Sequence, residues 1–437
     1  ANAIEVTPHA TFISGTLTLV DTDSNGGSVD DLAKWTFVDN SLATYADSLG
    51  AAGATTAGDV IVTATSKTDA VIASALSITT NQAAALKIAA GQVNGTASSA
   101  SAFDTAMKAG GTTATNAAEK ITPDVGAANG AALAAIGGVN NVIAGRQANT
   151  RVAFNTLGKQ SGVSTGDEAN DAVVWAQIFG STATQDKVGT IDGYETDSQG
   201  LALGWEADKS GDLMGLSVSY SDADVDGKSA SASHTDTTAT QVAAYGTYGK
   251  ATDWMVGYAS ADNDTKRTTL DGTASGTYDS TIFSAKVGHA FASSNTGAWT
   301  MTPKVDASYT NVDNDGYTET GANAFNLIVA SSSNDILTAR AGAEFTQRIV
   351  DGDAVTIPHV NIMAGYDLSN DGASTTSTFT GGGAAFTTTA ADPEKASLQL
   401  GFGVDHVSDD STVSLDLNAD LRSDYDSMSG SITFKSK

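Results

Sequence analysis

The chain has 437 residues, room for one large domain or two to three ordinary ones, and no cysteine, so disulfides and thiolate metal sites are excluded. Its formal net charge of −28 argues against nucleic acid, or anionic headgroups, held along a basic surface. No run of about 18 apolar residues occurs, so no transmembrane helix is expected, and a closed β-barrel is the one remaining way to span a bilayer.

The chain opens without the basic n-region and apolar core of a signal peptide, which is expected to be removed or left out. Residues 1–65 hold short β-like runs, HATFISGTLTLV (9–20), KWTFV (34–38) and DVIVTATS (59–66), separated by Gly, Asp and Ser. They read as a β-rich stub, the last rungs of a solenoid, too few to bury their faces without neighbours. Self-association through this segment is one way of supplying those neighbours. Residues 66–120 read as a linker of short Ala-rich helices, including 80–92 and 99–110.

Residues 121–168 read as a long helix and a lead-in. In ITPDVGAANGAALAAIGGVNNVIAGR (121–146), Thr122 is placed to cap, Pro123 suits the first helical position, and Gly145 offers a stop. Five glycines, among them Gly137 and Gly138, each cost about 0.5–1 kcal/mol in a helix interior. Leu133, Ile136, Val139 and Ile143 give only a thin apolar stripe. Such a helix is poor in water and makes sense where something encloses it and large side chains do not fit.

From residue 169 to 437 the chain supplies that enclosure. Leu201, Leu203 and Trp205 alternate with Ala202, Gly204 and Glu206; Leu216, Val218 and Tyr220 alternate with Ser217 and Ser219. The same period of two recurs to Ile432 and Phe434, giving about twelve strands. Short connections near 208–212, 249–252, 293–297, 350–353 and 408–410 alternate with longer polar ones near 182–197, 221–239, 260–280, 311–333 and 369–394, as in an outer-membrane barrel. The fold expected is an all-β transmembrane barrel of about twelve antiparallel strands with a central α-helix. Twelve lies between the filled eight-stranded barrel and the open sixteen-stranded one. A slim helix of 23 residues spans roughly 35 Å, about one membrane thickness.

The opening strand VVWAQIFGS, with Trp175, Gln177, Phe179 and Gly180, resembles the start of the autotransporter β-domain of type V secretion. TPKVDASY (302–309), TARAGAEF (338–345), IPHVNIMAGYDL (357–368) and ASLQLGFGVDH add to the likeness, which covers about residues 80–437. The resemblance implies an outer-membrane translocator of a Gram-negative bacterium whose helix plugs the pore and tethers a passenger at the cell surface, with the long loops outside. It also implies contact with outer-membrane lipid and lipopolysaccharide, and a terminal aromatic, here Phe434 with Ile432, read by the barrel-assembly machinery. The family usually ends on that aromatic; this chain continues through Lys435, Ser436 and Lys437. A plugged porin-like channel and an adhesive surface protein are the other readings.

Some members of that family cleave themselves between adjacent asparagines, with acidic lumen residues assisting. Asn140 and Asn141 stand at the corresponding place, with Glu206, Asp306, Glu344, Asp405, Asp416 and Asp420 as lumen carboxylates; an uncleaved chain is the favoured reading, and no enzyme activity is expected. Arg146 suits a helix C-terminus and, with Arg151 and Arg340, inward ion pairs. Three D-x-D-x-[DN]-G-like runs, with Asp21, Asp23 and Asn25, Asp222, Asp224 and Asp226, and Asn311, Asp313 and Asp315, have the oxygen spacing of calcium loops. Asp, Asn and Gly are also the commonest turn residues, so solvated turns are the favoured reading and no cofactor is expected.

Overall fold

The computed structural model describes residues 4–20, 35–49, 59–157, 172–209, 212–249, 251–352, 354–408 and 411–436. Twelve antiparallel strands form a closed barrel: Ala172–Gln185, Tyr194–Lys209, Asp212–Gly227, His234–Tyr248, Thr252–Thr268, Thr273–Ala290, Trp299–Asn314, Ser332–Thr346, Ala354–Ser369, Ala396–Val407, Ser411–Leu421 and Tyr425–Ser436. Each pairs with its successor, and the twelfth closes on the first, with Phe434 opposite Ala176 and Ile432 opposite Ile178. Along the third strand burial alternates residue by residue. Leu203, Val218, Val242, Val256, Val287 and Leu417 face outward and exposed, while Gln177, Glu206, Ser219 and Gln241 face the lumen. That inversion, apolar outside and polar inside, is the barrel's adaptation to lipid.

The connections differ from expectation at one rim. The long ones sought at 221–239 and 260–280 shrink to 228–233 and 269–272, and a tight connection at 422–424 joins the last two strands. The fifth and sixth strands run 17 and 18 residues, well beyond the ~9–11 that cross a bilayer. Past the lipid both faces of a strand turn polar, so the period-2 signal fades although the ladder continues. Long loops remain at 315–331 and 370–395.

Among the described residues five α-helices precede the barrel: α1 (Asp69–Leu76), α2 (Thr80–Gln92), α3 (Ala97–Ala109), α4 (Gly111–Ile121) and α5 (Val125–Leu157). α2 is started by a capping box in which Thr79 and Gln82 satisfy each other's backbone donors. The sequence placed one helix over 121–146, but α4 ends at Ile121, and Thr122 folds back, its hydroxyl donating to Ala118 O at 3.1 Å. Asp124 caps α5 instead, accepting from Ala127 N at 3.0 Å. Gly145 does not stop α5, which runs 33 residues, because the enclosing wall outweighs a glycine's propensity.

The helices 69–121 pack as a cap on the long-loop rim. Ile72, Leu86, Phe103, Met107 and Ile121 share one core with Phe325, Leu327, Phe379 and Phe386 of the loops. Arg267 ties the two parts: its guanidinium pairs with Glu319 through bonds of 2.7 and 2.6 Å and donates to Lys120 O. The described residues of the N-terminal β segment do not form a stack of parallel rungs. Gly15–Val20 and Ala43–Leu49 flank Val60–Ser66 in an antiparallel sheet, and among the described residues only Ile4–Val6 and Trp35–Phe37 pair in parallel. Asn40 makes the reversal, its Oδ1 accepting from Leu42 N and Ala43 N.

Asp271 holds α3 to the barrel by accepting from Ser98, Ser99 and Asn323. The hydrogen bond from Ser99, then that from Ser98, holds its carboxyl below the usual aspartate range. A depressed folded-state pKa means this contribution is complete above the unfolded value, about 3.9, and is lost as pH falls through the lower folded one. The protection factors of the amides across 97–109, observed exchange corrected for its intrinsic pH dependence, are therefore expected to fall below about pH 4, and Asp271→Asn to flatten that dependence.

Candidate functional site

The lumen holds α5. The helix lies against the first four strands rather than centrally. Ala132, Ala135 and Ile136 interlock with Ala223, Ala239, Ala259, Ala261 and Ile282, while Leu133 packs at the edge of that cluster, half-buried. Ser221 Oγ donates to Ala135 O at 2.7 Å. Lower down, Val139 and Ile143 meet Trp175, Phe179, Leu213, Tyr245 and Met255. Small residues on both surfaces let helix and strand backbones approach closely, so the apolar stripe need not be broad.

The glycines divide by role. A Cβ at Gly138 would overlap the ring of Phe179, and one at Gly130 the ring of Tyr194. At Gly137 a Cβ would meet nothing within 4 Å, and at Gly145 only the Asp416 carboxylate at 3.8 Å. Only the helix face turned to the first two strands therefore requires glycine. The wall uses the same device. Phe179 lies opposite Gly200, Trp175 opposite Gly204 and Tyr245 opposite Gly215, and in each pair a Cβ on the glycine would strike the ring. The opening-strand residues Trp175, Gln177 and Phe179 thus point inward and are buried, and a Cβ at Gly180 would press on Ser198 O at 3.3 Å.

At the short-turn rim the helix is anchored by charge. Arg146 meets Glu206 through two hydrogen bonds of 3.1 and 2.5 Å, and Lys435 Nζ reaches the same carboxylate at 2.7 Å. Tyr245 OH donates to Glu206 at 3.1 Å, and Trp175 Nε1 donates to Tyr245 OH at 2.9 Å. The guanidinium also sits over the Trp175 ring, 4.5 Å from its centre. Gln147 donates to Gly246 O and Trp254 O. Lys435 was no candidate from the sequence, yet it sits in the last strand opposite Trp175. One more step of the alternation past outward-facing Ile432 and Phe434 would have placed it in the lumen.

Asn140 Oδ1 accepts from Gln241 at 3.1 Å, and Asn141 donates to Ser429 Oγ at 3.1 Å. The lumen carboxylates have other partners: Asp306 pairs with Arg340, Glu344 with Lys304, Asp405 and Asp416 with His359, and Asp420 with Gln399. None of the hydrogen bonds made by the two asparagines among the described residues is to a carboxylate. Arg340 pairs across the wall rather than with the helix, and the side chain of Arg151 lies outside the described residues.

The calcium runs take another shape. Asp222, Asp224 and Asp226 lie on the third strand and Asn311 and Asp313 on the seventh, with Asp315 just beyond. Alternate residues of an extended strand are about 6.6 Å apart on one face, so they cannot wrap an ion as a loop does. Among the described residues the nearest approach to a ligand set is cross-strand, where Asp224, Asp236 and His234 bring ligand atoms within 4.8 Å of one another. Asp21, Asp23 and Asn25 lie outside the described residues.

The autotransporter β-domain family profile matches residues 174–420. The chain belongs to that family. Outer membrane protein A of Rickettsia conorii is 26% identical over 295 residues, which cover 62% of this chain and 14% of that protein. Outer membrane protein B of Rickettsia typhi is 24% identical over 272 residues, covering 58% and 16%. The chain thus spans about one seventh of the first relative's length. Among solved structures, the translocator domain of the autotransporter NalP from Neisseria meningitidis matches with a TM-score of 0.51 at 17% identity, over 72% of this chain and all of that one, which supports the fold. An autotransporter translocator domain of this kind is an outer-membrane barrel.

Proposed function

We propose that this autotransporter barrel carries a passenger across the outer membrane and holds it at the cell surface, with α5 as the plug left in the pore. The observation that carries this is the path of α5. It enters the lumen at the long-loop rim, where α1 to α4 sit, and its anchor at Arg146 lies at the short-turn rim, where the first strand begins. With the long loops outside, everything N-terminal to Asp124 stands at the surface. The outward apolar belt contacts lipid and lipopolysaccharide, and Phe434, exposed on the last strand, is available to the barrel-assembly machinery. The Asn140–Asn141 bond stays intact, because both side chains are engaged by neutral wall partners.

In planar bilayers the intact protein is expected to pass only a small current, and deletion of 125–147 to raise it several-fold. Large, stable currents from the intact protein, unchanged by the deletion, would favour an open porin and sink the plug.

A further inference from the structure

Because α5 leans on the first four strands, the opposite side of the lumen is not filled. Three cavities follow the helix: the deepest lies on that opposite side, against the fifth to eleventh strands, and the middle one is bordered by the first, second and twelfth. One of about 90 Å³ lies at the long-loop rim, between α4, the start of α5 and the connections at 186–193 and 370–395. A second, of about 220 Å³, runs beside Gly130, Leu133 and Gly137. A third, of about 110 Å³, lies beside Asn141, Ala144 and Gly145 and reaches Lys286 and His359 of the wall. The first two share Asn129, Tyr194 and Asn370, and the last two share Asn141. Asn129, Leu133, Gly137, Asn141 and Gly145 recur every four residues, a ridge inclined to the helix axis that winds roughly 160° around α5 and borders the whole series. This is why Gly137 meets open space while its neighbour Gly138 is jammed.

The series is wet. Each cavity far exceeds the roughly 10–15 Å³ that a water's centre needs. Asn129 Oδ1, Thr388 Oγ1 and Asn361 Oδ1 line them, buried, with no hydrogen-bond partner among the described residues, and buried polar atoms of this kind are satisfied by water. Charge is uneven along the path. Among the described residues the rim cavity is lined by four carboxylates, Glu119, Asp124, Asp192 and Asp371, and by no Lys or Arg. Lys187 and Lys395 touch Asp192 and Asp371 from outside its lining. Deeper cavities carry both signs, with Lys286, Lys304 and Arg422 against Asp253, Asp306, Glu344, Asp416 and Asp420.

We propose that a hydrated conduit winding along the Asn129–Gly137–Gly145 ridge of the seated helix conducts small cations in preference to anions, with the acidic rim cavity setting the preference. This rests on the helix being seated as a plug. The test is single-channel recording of the full-length chain across a potassium chloride gradient. A small current is expected, reversing toward the potassium equilibrium potential. Glu119→Gln with Asp192→Asn is expected to move the reversal potential toward zero. Gly137→Phe is expected to cut the current by half or more while Gly137→Ala leaves it unchanged, and Asn129→Phe, nearer the rim on the same ridge, repeats the block if the first variant assembles badly. Silence from the intact protein, when the 125–147 deletion conducts, overturns the conduit and keeps the plug. A selective current that neither phenylalanine reduces overturns the path. An anion preference overturns the role of the rim cavity. A large unselective current from the intact chain overturns the seated helix and the conduit with it.

Discussion

Gly138→Leu is expected to prevent α5 from seating, whereas Gly137→Leu, one residue away, is expected to leave the barrel assembled. At 138 even a methyl group overlaps the Phe179 ring, and that ring has no retreat, because Gly200 closes its other side. Overpacking of this kind costs about 1–3 kcal/mol, and the gain in helix propensity on replacing glycine returns only about 0.5–1 kcal/mol. Sterics win. At 137 the balance reverses: the Cβ meets open space, so Gly137→Ala is expected to stabilise by the propensity difference alone. Trp175, which lines the lumen against Arg146, reports the outcome through its fluorescence during urea unfolding in detergent. Phe179→Ala added to Gly138→Leu is expected to restore part of the loss, since leucine then fills the vacated space, with a coupling of about 1–3 kcal/mol in the double-mutant cycle. Additive effects would mean that ring and glycine do not meet.

The barrel was legible because lipid imposes a strict rule on its strands. Leu216, Val218 and Tyr220 against Ser217 and Ser219 state which face is which without any knowledge of neighbours. The same rule stops applying outside the bilayer, which is why Asp222, Asp224 and Asp226 read as a turn while they continue a strand. The helix was legible as an enclosed rod from its small residues, but its limits were not. Thr122 and Asp124 are both good caps locally, and the choice between them is made by tertiary contacts: Asp124 also accepts from Ser233 at 2.8 Å, and Thr122 is buried beneath α4. Nor does spacing distinguish Gly137 from Gly138, because rotation about the helix axis is set by which wall it leans on. The cap was hidden for a similar reason. The helix core around Phe103 and Met107 is completed by loop residues more than two hundred positions later, Phe325 and Phe379.

The second large effect concerns Glu206, which serves two cations at once. Arg146 from the helix and Lys435 from the last strand meet on its carboxylate, and all three side chains are at most 10% exposed. Glu206→Gln keeps the shape and removes the negative charge that both cations share. Removing one partner of a buried ion pair costs about 3–5 kcal/mol, and like-charge repulsion adds to it. Arg146→Gln and Lys435→Gln each leave one intact pair, so each is expected to cost less than Glu206→Gln. The two single cation variants separate by readout. Arg146→Gln frees the lower end of α5 and is expected to speed protease cleavage near Gln147 with little change in barrel unfolding. Lys435→Gln weakens the seam between first and last strands and is expected to lower the urea midpoint of the barrel itself. A triple variant, Glu206→Leu with Arg146→Met and Lys435→Met, replaces the network by apolar groups of similar volume and is expected to recover most of the stability, as buried ion pairs exchanged for well-packed side chains generally do. If Glu206→Gln is no worse than Arg146→Gln, the carboxylate is not the shared hub, and the anchor of the helix must be sought in Gln147 and its bonds to Gly246 O and Trp254 O.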